Sequence, residues 1–118
     1  MSVAVIYKGS DMNINITLNA PDGSALVISD LIDVVVSVYQ TKEEIIQQWK
    51  VSNGSLIVIE DADGSVQANL DRDNTVNLRL KRLYLEVKVI GTNSDFESGE
   101  QVAIVSDIVL ADLKNSVS

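Results

Sequence analysis

The chain has 118 residues, 17 of them acidic and 9 basic, with neither cysteine nor histidine. A net charge of −8 opposes close approach to nucleic acid or to anionic lipid. The two missing residue types remove disulfides, the usual zinc ligands and the usual general base and nucleophile pair, so an enzyme would have only carboxylates, Lys, Ser or Tyr to work with.

This length suits one domain that buries roughly two thirds of its unfolded surface. No internal repeat, low-complexity tract or linker divides it, so residues 1–118 read as a single unit. Met1 to Tyr7 lacks the basic and long apolar regions of a signal peptide, and no apolar run approaches the length of a bilayer span. The expectation is a soluble protein made in the cytoplasm, with no membrane and no nucleic acid as direct partner.

Val3 to Tyr7 is apolar throughout and suits a strand covered on both faces, or an edge strand that meets a partner. After Lys8-Gly9-Ser10-Asp11 comes the cleanest alternation of the chain, with Met12, Ile14, Ile16 and Leu18 set against Asn13, Asn15, Thr17 and Asn19. A period of two puts one face in a core and the other in water. Pro21-Asp22-Gly23-Ser24 is a turn in which Pro presets φ and Gly accepts a positive one. An irregular stretch, Ala25 to Ile32, leads into Val34-Val35-Val36-Ser37-Val38-Tyr39, whose β-branched, apolar content predicts a central strand.

Glu44 to Val51 fits two patterns, since Ile45, Ile46 and Trp49 share a helical face while Ile45, Gln47, Trp49 and Val51 share one face of a strand. The short run and its β neighbours favour strand. Ser52-Asn53-Gly54-Ser55 then reads as a hairpin turn into Leu56 to Ile59, and Asp61-Ala62-Asp63-Gly64 as a second turn into Val66, Ala68 and Leu70. Together they imply a meander. Asp71-Arg72-Asp73-Asn74-Thr75 offers helix N-cap residues, which fits one short helical turn near residues 71–79 across the end of the sandwich, an extended crossover being the other option.

Leu83, Leu85, Val87 and Val89 alternate with Tyr84, Glu86 and Lys88 in a long strand, and the final strand covers Gln101 to about Leu110. Between them Gly91 to Glu100 is the longest and most polar connection, and Ala111 to Ser118 reads as a short C-terminal tail. About eight or nine strands with turns every 8 to 12 residues fit an all-β, immunoglobulin-like antiparallel β-sandwich. The Cys, Trp, Cys set of true immunoglobulin domains is absent, so Trp49 would be a core aromatic with no disulfide beneath it.

Chemistry is sparse. Glu60-Asp61-Ala62-Asp63-Gly64 starts like a calcium loop, but Asn69 and Leu70 stand where the closing Glu would be needed, so it reads as a turn. Asp71 with Asp73 reads the same way. The acidic residues fall in turns or at outward strand positions, where solvation is the ordinary outcome and perturbed pKa values are not expected. Arg79-Leu80-Lys81-Arg82, the one basic cluster, reads as a solvated corner. Of the aromatics, Tyr7, Tyr39 and Trp49 read as core or sheet-edge residues, and Phe96 as near the surface. The residues therefore point to no catalytic, metal or cofactor site.

Several features occur in a telling order: Tyr7-Lys8-Gly9-Ser10-Asp11 entering the strand Asn13 to Leu18, then Pro21-Asp22-Gly23, the strand Asp33 to Tyr39, and Asp61-Ala62-Asp63-Gly64-Ser65-Val66. Asp73-Asn74-Thr75, Leu83-Tyr84-Leu85-Glu86-Val87-Lys88-Val89 and the strand Val102 to Leu110 follow. This order resembles the N-terminal domain of the bacteriophage upper baseplate protein family and related phage virion modules with an immunoglobulin-like sandwich. The resemblance covers most of the chain.

It implies a non-catalytic virion structural protein, of the baseplate, capsid-auxiliary or fibre-base kind, made in the host cytoplasm and carried in the virion. Its partners would be other virion proteins, in a homo- or hetero-oligomer, joined by strand addition or surface complementarity. Val3, Ala4, Val5, Ile6 and Tyr7 form the candidate assembly edge, and replacing Ile6 with Pro is expected to weaken assembly while leaving the monomer folded. The alternative function is a carbohydrate-binding or adhesin-like β-sandwich, which would need exposed aromatic platforms.

Overall fold

The structure, a computed structural model, describes residues 5–19, 23–76, 78, 82–92 and 94–114, without the side chains of Val5, Val105 and Ser106. Its strands are β1 (Val5–Tyr7), β2 (Met12–Thr17), β3 (Asp33–Thr41), β4 (Glu44–Lys50), β5 (Ile57–Glu60), β6 (Ser65–Leu70), β7 (Arg82–Thr92) and β8 (Glu100–Lys114). A 3-10 turn covers Ile28–Asp30 and one helical turn, α1, covers Arg72–Thr75. The chain is an all-β sandwich, as its alternation predicts. One sheet has five strands in the order β1-β8-β7-β3-β4 and the other three, β2-β6-β5.

All neighbouring strands run antiparallel except β1, which lies parallel to β8 with Val5 opposite Asp112 and Tyr7 opposite Lys114. The larger sheet is therefore mixed. The core forms where inward side chains of the two sheets meet: Val34, Val36 and Val38 of β3 and Leu83, Leu85 and Val87 of β7 pack with Ile14 of β2 and Val66, Ala68 and Leu70 of β6. Trp49 of β4 is 3% exposed and fills this layer without a disulfide. β3 is buried on both faces from Val34 to Tyr39, which is why its sequence shows an apolar run instead of alternation.

Three expectations are corrected. The first concerns Ala111 to Ser118, which is no tail as far as it is described. β8 continues to Lys114, with Ala111 and Leu113 at 0% and 3% exposure in the core. A register shift at Leu110 breaks the alternation there, and the charges of Asp112 and Lys114 hide the two inward residues between them.

The second correction is that residues 51–56 form a crossover between the sheets, not a hairpin, since β4 and β5 belong to different sheets. Two anchors drive the crossing. The Asp33 carboxylate accepts the Ser52 backbone N–H and hydroxyl at 2.9 and 2.8 Å, and Leu56 sinks to 2% exposure. Of the two expected hairpins only β5–β6 forms, around Asp61–Gly64.

The third concerns Ile45, which does not share a face with Gln47 and Trp49. A bulge at Ile46 pairs Ile45 with Tyr39, while Gln47 and Trp49 pair with Val38 and Val36 on the core side.

α1 lies where a helical turn is expected, with Asp71 at the N-cap position, but the Asp71 side chain makes no capping bond. Asp11, remote in sequence, does that work: its Oδ1 accepts the Arg72 N–H at 2.7 Å and its Oδ2 accepts from the guanidinium Nη2 at 2.9 Å. Thr75, fully buried, donates its hydroxyl to the Arg72 carbonyl and accepts the Gly9 N–H, tying the helical turn to the β1–β2 loop. Among the described residues no helix is long and apolar enough to cross a membrane.

Candidate functional site

The densest polar constellation lies on the outer face of the five-stranded sheet. Cross-strand register aligns Tyr39 with Tyr84 and Ser37 with Glu86, and Glu86 in turn with Asp107 of β8. The two tyrosine rings stack at 5.5 Å. The Tyr39 hydroxyl reaches over β7 and donates to Asp107 Oδ1 at 2.5 Å. Lys42, from the β3–β4 turn, lies 4.7 Å over the Tyr39 ring with its Nζ 2.6 Å from Asp107 Oδ2 and 3.3 Å from Glu86 Oε2. Tyr39 is thereby reduced to 6% exposure on a face that has no second sheet over it.

The electrostatics of this clasp hold each member in its paired form. The Lys42 ammonium, with the Tyr39 hydroxyl, holds the Asp107 carboxyl below its ordinary value of 3.8. The Asp107 carboxylate in turn pushes the Lys42 ammonium above its ordinary 10.5. Tyr39 is raised above 10.0, chiefly by desolvation and then by its bond to Asp107. The lysine therefore keeps its proton and the phenol stays neutral near neutral pH, and the charged Asp107 carboxylate is engaged by both of them. This corrects the expectation of unperturbed carboxylates, and Asp11, lowered mainly by the Arg72 backbone bond, is a second exception.

In the turn Asp61–Gly64 the first carboxylate is occupied with the fold itself. Asp61 Oδ1 and Oδ2 accept the Ser29 backbone N–H and hydroxyl at 2.7 and 2.8 Å. No group of three metal-ligating side chains comes together among the described residues. Of the basic cluster only Arg82 is described, paired with Asp112 at 3.1 Å, and the reading of Arg79, Leu80 and Lys81 lies outside the described residues. Phe96 is 49% exposed at the tip between β7 and β8, and Tyr7 48% exposed at the sheet edge, while Trp49 is buried.

What remains is sheet edge. Of the candidate edge Val3, Ala4, Val5, Ile6 and Tyr7, the first two lie outside the described residues. Val5, Ile6 and Tyr7 form β1 at the margin of the larger sheet. Ile6, however, is 6% exposed and part of the core, so its replacement by Pro would damage the fold along with any interface.

Two stronger edges escape a reading by alternation. On its side away from β7, β8 is met by β1 only at Asp112–Lys114, and among the described residues no strand flanks Val102–Ile104 there. Val102 and Ile104 are 58% and 59% exposed. Ile108 lies opposite the buried Leu85 on the core side, yet is itself 53% exposed, because the three-stranded sheet is too narrow to cover all five strands. The second edge is β5, where Ile57, Val58 and Ile59 are all exposed beside β6. The signal in the sequence was charge: Gln101 to Ser106 carries none in a chain that is 22% charged.

No family model, curated protein or solved structure matches this chain.

Proposed function

We propose that this chain is a non-catalytic assembly domain, a structural module of a phage virion that joins other virion proteins by adding strands at its open sheet edges. The virion setting rests on the order of turns and strands that resembles the upper baseplate family. The mode of action rests on one observation, the uncovered apolar stretch of β8 around Val102 and Ile104. An unpaired strand edge displays a row of backbone donors and acceptors that another strand can satisfy, and natural sheets usually blunt such edges with Lys, Pro or a covering loop. Val102–Ile104 has neither Lys nor Pro. Apolar side chains beside the open backbone add desolvation to the main-chain bonds, the combination used in strand-addition recognition.

The test is light scattering on the purified protein, alone and mixed with candidate baseplate, capsid-auxiliary and fibre-base proteins. A defined oligomer or a stable mixed complex is the expected result. A strict monomer that joins none of them, together with a glycan-dependent rise in melting temperature, would overturn the proposal in favour of a carbohydrate-binding module.

A further inference from the structure

We infer that the open edge of β8 pairs with the same edge of a second copy of this chain, antiparallel and about a two-fold axis at Val102, so that two five-stranded sheets become one of ten strands. This rests on the assembly reading above and names its partner. The register follows from the strand itself. The ladder with β7 is regular from Glu100 to Ile104 and then breaks at a bulge between Ile104 and Ser106, so the straight part of the edge is five residues long with Val102 at its centre.

A two-fold axis perpendicular to the sheet keeps each face on its own side and sets residue against residue around the centre. Val102 then meets Val102 of the other copy on the outer face, and Glu100 meets Ile104. Ile104 is already aligned with Lys88 on β7. The Glu100 carboxylate of one copy therefore stands two strands from the Lys88 ammonium of the other, about 10 Å apart at the backbone, a span that the two long side chains close over Ile104.

The symmetry makes that contact twice. Lys88 has 43% of its side chain exposed and pairs with Glu86 of its own strand at 3.5 Å, so the Glu100 carboxylate of the second copy would join or replace an existing exposed partner. Charge complementarity favours this occupant: in a chain of net charge −8, two copies meet along a run without charge and bring acid to base at both ends. The apolar exposure of Val102 and Ile104 is what the pairing removes from water.

The experiment is sedimentation velocity across a concentration range on the wild-type protein, V102K, E100K, K88E and the E100K/K88E double variant, with melting curves on each. The wild type is expected at twice the chain mass, dissociating on dilution. V102K places two ammonium groups on the axis and raises the dissociation constant by about tenfold or more with little change in monomer melting. E100K and K88E each weaken the dimer by about two- to tenfold, and the double variant restores it, because the two charges are exchanged and still face one another.

A wild type that stays at the single-chain mass at every concentration overturns the inference, while binding to other virion proteins would still uphold the assembly reading. A dimer indifferent to V102K overturns it as well and moves the interface elsewhere, with the β5 edge next in line. Failure of the double variant to recover refutes the two-fold at Val102.

Discussion

Along β8, Ala111 and Leu113 are 0% and 3% exposed, whereas Val102 and Ile104 on the same strand are 58% and 59% exposed. Residue type cannot explain the contrast, since valine and isoleucine are at least as apolar as alanine. Facing explains it, and the two register shifts of β8 set the facing. Ala111 lies opposite the buried Leu83 and points into the core, whereas Val102 and Ile104 lie opposite Ile90 and Lys88 on the outer face, which the smaller sheet does not overlay and where β8 has β7 on one side only. At about 3.3 Å per residue, fifteen residues of β8 span about 50 Å, which accounts for the 53 Å long axis of a molecule otherwise 29 and 28 Å across. Period-two alternation says which way a side chain points, but whether another layer stands there is decided elsewhere in the chain.

The largest effects should separate these two ends of the sandwich. Leu83→Ala, at a fully buried position, is expected to cost about 2–5 kcal/mol in chemical denaturation, and Ile104→Ala no more than about 0.5 kcal/mol. Both are best measured in the V102K background, so that association does not enter. Equal losses at the two positions would mean that the outer stretch of β8 is packed in the monomer, and the contrast drawn above would fail.

A smaller contrast concerns two turn glycines. Gly64 has φ +69, and a Cβ there would stand 2.6 Å from the carbonyl oxygens of Leu18 and Leu26, where three backbone segments converge. Gly54, in the crossover from β4 to β5, has φ +78 and open space around it. Gly54→Ala should cost about 1 kcal/mol, the ordinary penalty of a left-handed alanine, and Gly64→Ala about 2–4 kcal/mol because backbone must also move. Similar costs at both sites would show that the convergence at Gly64 yields easily.

How much of this was legible in the residues can be followed strand by strand. Where one layer covers a regular strand, as for Met12 to Leu18 or Leu83 to Val89, alternation gave both the element and its buried face. It failed where a bulge changes phase, at Ile46 and Leu110, because one extra residue inverts the pattern beyond it. It failed again at Ser52 to Ser55, whose turn residues suit a hairpin equally well. There the decision belonged to Asp33, a carboxylate 19 positions away. The outer-face clasp was out of reach for the same reason: Tyr39, Lys42 and Asp107 are ordinary residues until strand order places β8 two strands from β3.

That clasp also supplies the smallest predicted effect, and it distinguishes the sheet's outer face from its core. Asp107 has a folded pKa below 3.8, so its contribution to stability is complete above that value and is lost as pH falls through the lowered one. Lys42 and Tyr39 have folded pKa values above 10.5 and 10.0, so theirs is complete below those values and fades as pH rises through the raised ones. Melting temperature should therefore be insensitive to this cluster between about pH 5 and 9 and bend at both ends.

Asp107→Asn should flatten the acid limb by removing the titrating group, and should shrink the alkaline limb because the Lys42 ammonium loses its closest partner. Lys42→Met should shrink the alkaline limb to the share of Tyr39, whose rise comes first from desolvation, and leave Asp107 a more ordinary carboxyl. Lys42 is largely solvent-exposed, so the whole effect should diminish in high salt, whereas the loss from Leu83→Ala should not. If the Asp107→Asn profile overlays the wild type at both ends, the bonds to Asp107 contribute nothing measurable, and the burial of Tyr39 on the outer face rests on its contacts with Tyr84 and Lys42.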